Sequence, residues 1–148
     1  MSDENVILLQ LNSGDFSVRK SDSAASFRNT LATPLLLDSN KKYEVSLYDC
    51  WFPVNQSTSS IYINTNLVDS SIVGSQSTSS IFWLPYTEFA SVPSGSNFWF
   101  ISYNKKWYPL ANRNINYIDI SFTLSTGGLI PIVGTQYSTV TLAIREVQ

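Results

Sequence analysis

Two segments of the chain alternate between apolar and polar residues with a period of two. In residues 42–48, Tyr43, Val45 and Leu47 fall on one face and Glu44, Ser46 and Tyr48 on the other. In residues 116–124, Tyr117, Asp119, Ser121 and Thr123 oppose Ile118, Ile120, Phe122 and Leu124. Successive side chains of a strand point to opposite faces, so both patterns predict half-buried β-strands. Further strands are expected at residues 6–11, 16–19, 26–31, 61–64, 81–84, 98–103 and 138–145, the last rich in β-branched residues. Turn-forming clusters separate them: Asn12-Ser-Gly-Asp15, Asp38-Ser-Asn40, Pro93-Ser-Gly-Ser96 and Thr126-Gly-Gly128. No amphipathic pattern runs beyond two helical turns. Short strands with such punctuation restrict the chain to an all-β sandwich, jelly roll or barrel, and 148 residues make one such domain.

Composition removes most catalytic classes. There is no His, so neither a Ser-His-Asp nor a Cys-His arrangement is available, and the commonest transition-metal ligand is missing. Cys50 is the only Cys, which excludes an internal disulfide or a zinc cluster; beside Trp51 it reads as a small buried hydrophobe. Among carboxylates, Glu44, Glu88 and Glu146 are joined by no motif that would make a glycosidase pair. The expectation is a protein that is not an enzyme and holds neither cofactor nor metal. A formal charge of −2 argues against a broad nucleic-acid or anionic-lipid footprint. Met1-Ser-Asp-Glu-Asn5 is acidic where a signal peptide would be basic, and Val6-Ile-Leu-Leu9 is too short to span a membrane. A soluble protein made in a cytosol or nucleus is expected, and the Asn55-Gln-Ser57 sequon then goes unused.

The charge deficit is uneven. No cation lies between Lys42 and Lys105, Asp69 is the one charge between Asp49 and Glu88, and residues 120–144 carry none. Isolated β proteins guard their strand edges with charge, so neutral stretches are either central strands or surfaces covered by a partner. Ten of the 20 aromatic residues fall between Phe82 and Tyr108. They suit a core, a subunit interface or a stacking platform for a ligand. The candidate interface residues are Trp51, Phe52, Phe98, Trp99, Phe100, Trp107 and Tyr108. A short repeat, Gln56-Ser-Thr-Ser-Ser-Ile61 and Gln76-Ser-Thr-Ser-Ser-Ile81, reads as one polar turn feeding a strand, used twice.

One ordered set of segments resembles a known family. Phe27-Arg-Asn-Thr-Leu31 leads through Pro34-Leu-Leu-Leu37 to Tyr43-Glu-Val-Ser-Leu47 and Trp51-Phe-Pro53, then Ile61. Trp107-Tyr-Pro-Leu110, Ile118-Asp-Ile120, Thr126-Gly-Gly128, Gly134 and Val140-Thr-Leu-Ala-Ile-Arg145 follow. In this order they are similar to the penton (minor capsid) proteins of polintons, polinton-like viruses and virophages, over roughly residues 25–145. The resemblance implies a single jelly roll over residues 1–148, with 1–12 as an N-terminal arm or added edge strand. It further implies a virion protein that forms homopentamers at icosahedral vertices, among double jelly-roll major capsid proteins. Nucleic acid and direct membrane insertion are not among the expected partners. The alternative is a carbohydrate- or receptor-binding β-sandwich, lectin-like or fibre-knob-like, with Trp83, Trp99 or Trp107 as its platform.

Overall fold

A computed structural model describes residues 6–14, 17–19, 25–54, 60–69, 71–73, 76–124, 128–132 and 137–147. The strands are β1 (Ile7–Asn12), β2 (Ser17–Arg19), β3 (Ser26–Leu36), β4 (Tyr43–Pro53), β5 (Ile61–Thr65) and β6 (Ser71–Val73). They continue with β7 (Gln76–Thr78), β8 (Ser80–Leu84), β9 (Asn97–Ile101), β10 (Tyr108–Pro109), β11 (Asn114–Leu124) and β12 (Thr139–Glu146). The only helical element among the described residues is a single 3₁₀ turn at Tyr86–Glu88.

All pairings are antiparallel and form two main sheets. The first runs β1-β12-β4, and β9 and β10 share the far edge of β4; the second runs β2-β3-β11-β5-β8. The β6–β7 hairpin stands apart. The chain therefore places β1, β4, β9 and β12 in one layer and β3, β5, β8 and β11 in the other, crossing between layers at most connections. Orders β1-β12-β4-β9 and β3-β11-β5-β8 are those of an eight-stranded jelly roll, and β2, β6, β7 and β10 are additions to it.

The alternating segments sit where the pattern requires. Ile118, Ile120 and Phe122 of β11 are buried, while Tyr117, Asp119 and Ser121 face out. β12 is buried on both faces from Val140 to Ile144. Both strands are central in their sheets, which accounts for the absence of charge at residues 120–124 and 139–144 without a partner. β3 and β4 run further than their alternation shows, to Leu36 and Pro53. In β3 the pairing with β11 shifts between Leu35↔Ile115 and Thr30↔Tyr117, and Pro34 sits in that irregularity, where a missing N–H costs no ladder bond. In β4 the shift leaves Tyr48 as an extra residue between Leu47↔Leu142 and Asp49↔Thr141. The bulge moves the buried set from Val45 and Leu47 to Cys50 and Phe52, and turns Asp49 and Trp51 outward.

The polar repeat does not mark equivalent units. Ile61 opens β5 and Ile81 lies in β8, but the two strands are antiparallel neighbours with Ile61 opposite Leu84. Gln76–Thr78 is itself strand β7, and residues 55–59, with the sequon, lie outside the described residues. Phe16, the first residue of one expected strand, also lies outside them.

At the centre of the sandwich Phe52 meets Phe122 at 5.5 Å, Phe98 at 5.9 Å and Phe89 at 6.0 Å between ring centroids. Phe89 is carried inward by the 3₁₀ turn, whose backbone bonds Glu88 N–H to Pro85 O and Phe89 N–H to Tyr86 O. One end of the sandwich gathers the charges: Lys41 reaches Glu146 at 3.5 Å, and Arg113 Nε donates to Lys41 O at 2.7 Å. Residues 41–42, 113 and 146 adjoin the β3–β4 turn and the end of β12, so this end is polar by sequence position.

Candidate interaction surface

The first sheet presents an aromatic row on its outer face. β9 pairs with β4 so that Trp99 lies opposite Trp51, and Trp51 lies opposite Thr139 of β12. Trp99 is 60% exposed. Its indole Nε1 donates to Asp49 Oδ2 at 3.2 Å, which fixes the ring against the sheet instead of leaving it to rotate. Trp51 is half-buried and meets the ring of Tyr137 at 5.1 Å. The β4 bulge sets this row up, because it turns Asp49 and Trp51 to the same face.

The other candidate residues divide between inside and outside. Phe52 is fully buried and touches three Phe rings, so it belongs to the core and not to an interface. Its position after the bulge is what puts it inside. Phe98 and Phe100 are half-buried and pack on the core from β9; Phe100 also meets Phe82 of β8 at 5.2 Å. Tyr108, in β10 opposite Val45, packs on the core too, with Lys106 Nζ 5.5 Å from its ring centroid. Trp107 is half-buried on the outer face beneath Arg145, whose guanidinium stands 3.9 Å from the ring centroid and pairs with Glu44 at 3.1 Å. The segment from Ser102 to Trp107 thus folds across the sheet. Lys105 donates to Ser102 O at 2.9 Å and sits 4.7 Å over the Tyr48 ring. A socket of about 220 Å³ opens beside it, lined by Val6, Leu8, Tyr48, Lys105, Trp107 and Ala143.

Trp83, expected as a ligand platform, and Tyr86 and Tyr103, outside the candidate set, lie at the lateral side where β8 and β9 end the two sheets. Trp83 is 53% exposed and Tyr103 83%. Tyr86 is exposed as well. A groove of about 550 Å³ opens at Tyr103, lined by Phe82, Glu88 and residues 99–104. Trp83 pairs with Tyr62 and faces opposite Phe82 and the buried Leu84, which pair with the buried Ile63 and Ile61; the register shift beyond Ile63 lets Ile81 be buried as well.

The second sheet's outer face is polar. Arg28 grips Asp119 through two hydrogen bonds, 2.7 and 3.2 Å, and lies 3.9 Å over the Tyr117 ring. The bond to Asp119 raises the Arg28 pKa further above its ordinary value, with burial opposing it. Asn64 Nδ2 donates to Thr123 Oγ1 at 3.0 Å and Ser121 Oγ at 3.2 Å at the floor of a cleft of about 330 Å³.

Cys50 is fully buried; desolvation pushes its thiol far above the ordinary range, and the charge of Asp49 adds to the shift. A thiol held neutral is not a nucleophile. Among the described residues no three of His, Cys, Asp and Glu gather as metal ligands, and no helix is long and apolar enough to cross a membrane.

Layer order, strand count and handoff between sheets define the class: a single jelly roll, all-β, of two packed antiparallel sheets. The same fold occurs in the crystal structure of the mavirus penton protein, with a TM-score of 0.67 at 9% identity. The match covers 97% of this chain and 100% of that one. No protein-family profile and no curated protein sequence matches the chain.

Proposed function

We propose that the chain is a structural capsid protein: a penton, present as a homopentamer at the icosahedral vertices of a virion, where it meets double jelly-roll major capsid proteins. In this assignment residues 1–148 form one jelly-roll domain, with 1–12 supplying its edge strand, and the chain carries no catalytic activity or cofactor. The observation that carries it is the fold match to the mavirus penton protein, which covers 97% of this chain and 100% of that one. The neutral strands and exposed rings described above support it, because surfaces that neighbours cover need no guarding charge.

The test is the position of the protein in the intact particle. Reconstruction of the virion, with antibody or tag labelling of this chain, is expected to place it at the fivefold vertices. Density for it elsewhere, or its absence from the particle, overturns the assignment. A second reading, a glycan-binding sandwich, is favoured by Trp99, a ring 60% exposed and held in place by Asp49. Saturable quenching of tryptophan fluorescence by a neutral polysaccharide, lost in Trp99→Ala, would support it; an unchanged spectrum across a glycan panel removes it.

A further inference from the structure

On one lateral side of the sandwich both sheets end on a strand that, among the described residues, pairs on one edge only: β8 with β5, and β9 with β4. Edges are normally blunted by charge, proline or brevity. β8 reads Ser-Ile-Phe-Trp-Leu and β9 reads Asn-Phe-Trp-Phe-Ile, each five residues with neither charge nor proline. The side is ringed by the exposed Trp83, Tyr86, Trp99 and Tyr103, and Glu88 is the one charged residue lining its groove.

The opposite edge of the first sheet is β1, Ile-Leu-Leu-Gln-Leu-Asn, also uncharged, with Leu8 52% exposed. Beside it lies the socket walled by Leu8, Tyr48 and Trp107, in which Lys105 is the one charged residue. The groove and the socket are therefore complementary: the lining of each carries a single charge, Glu88 in one and Lys105 in the other, and the charges have opposite sign. Exposed rings on one side face a socket of side-chain size on the other, the arrangement of an aromatic anchor and its pocket.

We infer that the β8/β9 side of one copy packs against the β1 side of the next copy, head to tail. This rests on the penton assignment above. A side packing on itself would close at two copies and leave β1 uncovered. A single heterologous contact covers both unguarded edges at once, and it is the kind that propagates around a ring.

The experiment blocks each side separately in the full chain. Variant one is Trp99→Glu with Tyr103→Glu; variant two is Leu8→Glu, with Gln10→Lys, also on the exposed face of β1, as its substitute should Leu8→Glu fail to fold. Circular dichroism checks folding, and light scattering or sedimentation gives the mass. Wild type is expected to form a closed oligomer and each variant alone a monomer. An equimolar mixture of the two is expected to give a dimer that grows no further, because one joint remains intact and both outer sides are blocked. Wild type remaining monomeric at all concentrations overturns the contact, as does variant one assembling like wild type. If variant two assembles while variant one does not, the β8/β9 side packs on itself and the head-to-tail contact is wrong; if variant one instead loses binding to a soluble neutral polysaccharide with its mass unchanged, the side is a glycan site. Vertex location in the particle with a failed mixing test leaves the penton assignment standing without this contact; a capped dimer from a chain absent at the vertices does the reverse.

Discussion

The two lateral sides of the sandwich are closed by different chemistry. On the β1 side the layers are tied by a side-chain amide: Asn29 of β3 accepts from Asn12 N–H at 2.9 Å and donates to Asn12 O at 3.1 Å. The amide stands in for a neighbouring strand and satisfies both backbone groups. Next to it Ser13 and Ser138 are joined by backbone N–H to carbonyl at 3.0 Å and N–H to hydroxyl at 2.9 Å. On the β8/β9 side no such clamp bridges the edge strands among the described residues; Phe82 and Phe100 meet instead. A hydrogen-bonded closure specifies one geometry and resists opening, because a buried polar group left unpaired is costly. A ring-to-ring closure has no directional demand and leaves apolar area at its rim. The same fold thus has one side whose layers are tied by directional bonds within the chain and another where they are held by ring contact alone.

The sharpest break of the comparison is removal of the β1 side altogether. Deleting residues 1–12 strips a six-residue ladder from β12 and uncovers Val140 and Leu142, so loss of the cooperative thermal transition is expected. An unchanged melting temperature with impaired assembly would instead make residues 1–12 an arm. On the aromatic side, Phe52→Ala removes the ring shared by Phe89, Phe98 and Phe122; urea titration should show a loss of about 3–5 kcal/mol. Asn29→Ala leaves the Asn12 N–H and C=O without their amide partner. A loss of about 1–3 kcal/mol is expected, with faster hydrogen exchange in β1 but not in β9.

Smaller effects come from groups that the two closures leave alone. The buried Cys50 thiol, held neutral with its pKa raised, favours the folded state fully below the unfolded thiol's value of about 9. As pH rises past that value the unfolded chain ionises first and releases a proton that the folded chain retains. Stability should therefore decline at alkaline pH, and Cys50→Ala should flatten that decline. Thiol reagents at pH 8 should leave Cys50 unmodified until the chain unfolds. Trp99→Ala should cost the isolated fold no more than about 1 kcal/mol, since the ring is mostly in solvent, and its effect should show in mass rather than in melting temperature.

Much of the architecture was readable before any coordinates. Alternation in residues 116–124 assigned the inward face of β11 correctly, since a strand with one buried face has only one register that hides its apolar residues. The short β10 and the β6–β7 hairpin were not readable. Tyr108-Pro109 is two residues long, and its place is set by backbone pairing with Glu44 and Val45, which no local pattern announces. Among candidate contact residues, Trp99 and Trp51 share one face because strands β4 and β9 pair in a given register. Phe52 is buried in the core while its equally aromatic neighbour Trp51 faces out, and only the bulge at Tyr48 decides which of the two turns inward. The exposure of Tyr86 and Tyr103 is not legible in the sequence, because it depends on where their segments lie at the edge of the sheets.

Composition and periodicity by themselves determined that this chain is a charge-poor, all-β domain without the histidine that the commonest catalytic arrangements need. Those properties are additive along the chain: a missing His is missing in any fold, and a period of two can bury one face only in a sheet. Which neutral stretches are interior and which are edges was decided by the tertiary structure. Residues 120–124 and 139–144 are neutral in strands, β11 and β12, that are central in their sheets, whereas β8 and β9 are neutral and stand at the rim. Strand order is set by pairings between residues far apart in sequence, and the cost or benefit of an uncharged strand depends on having a neighbour on both sides.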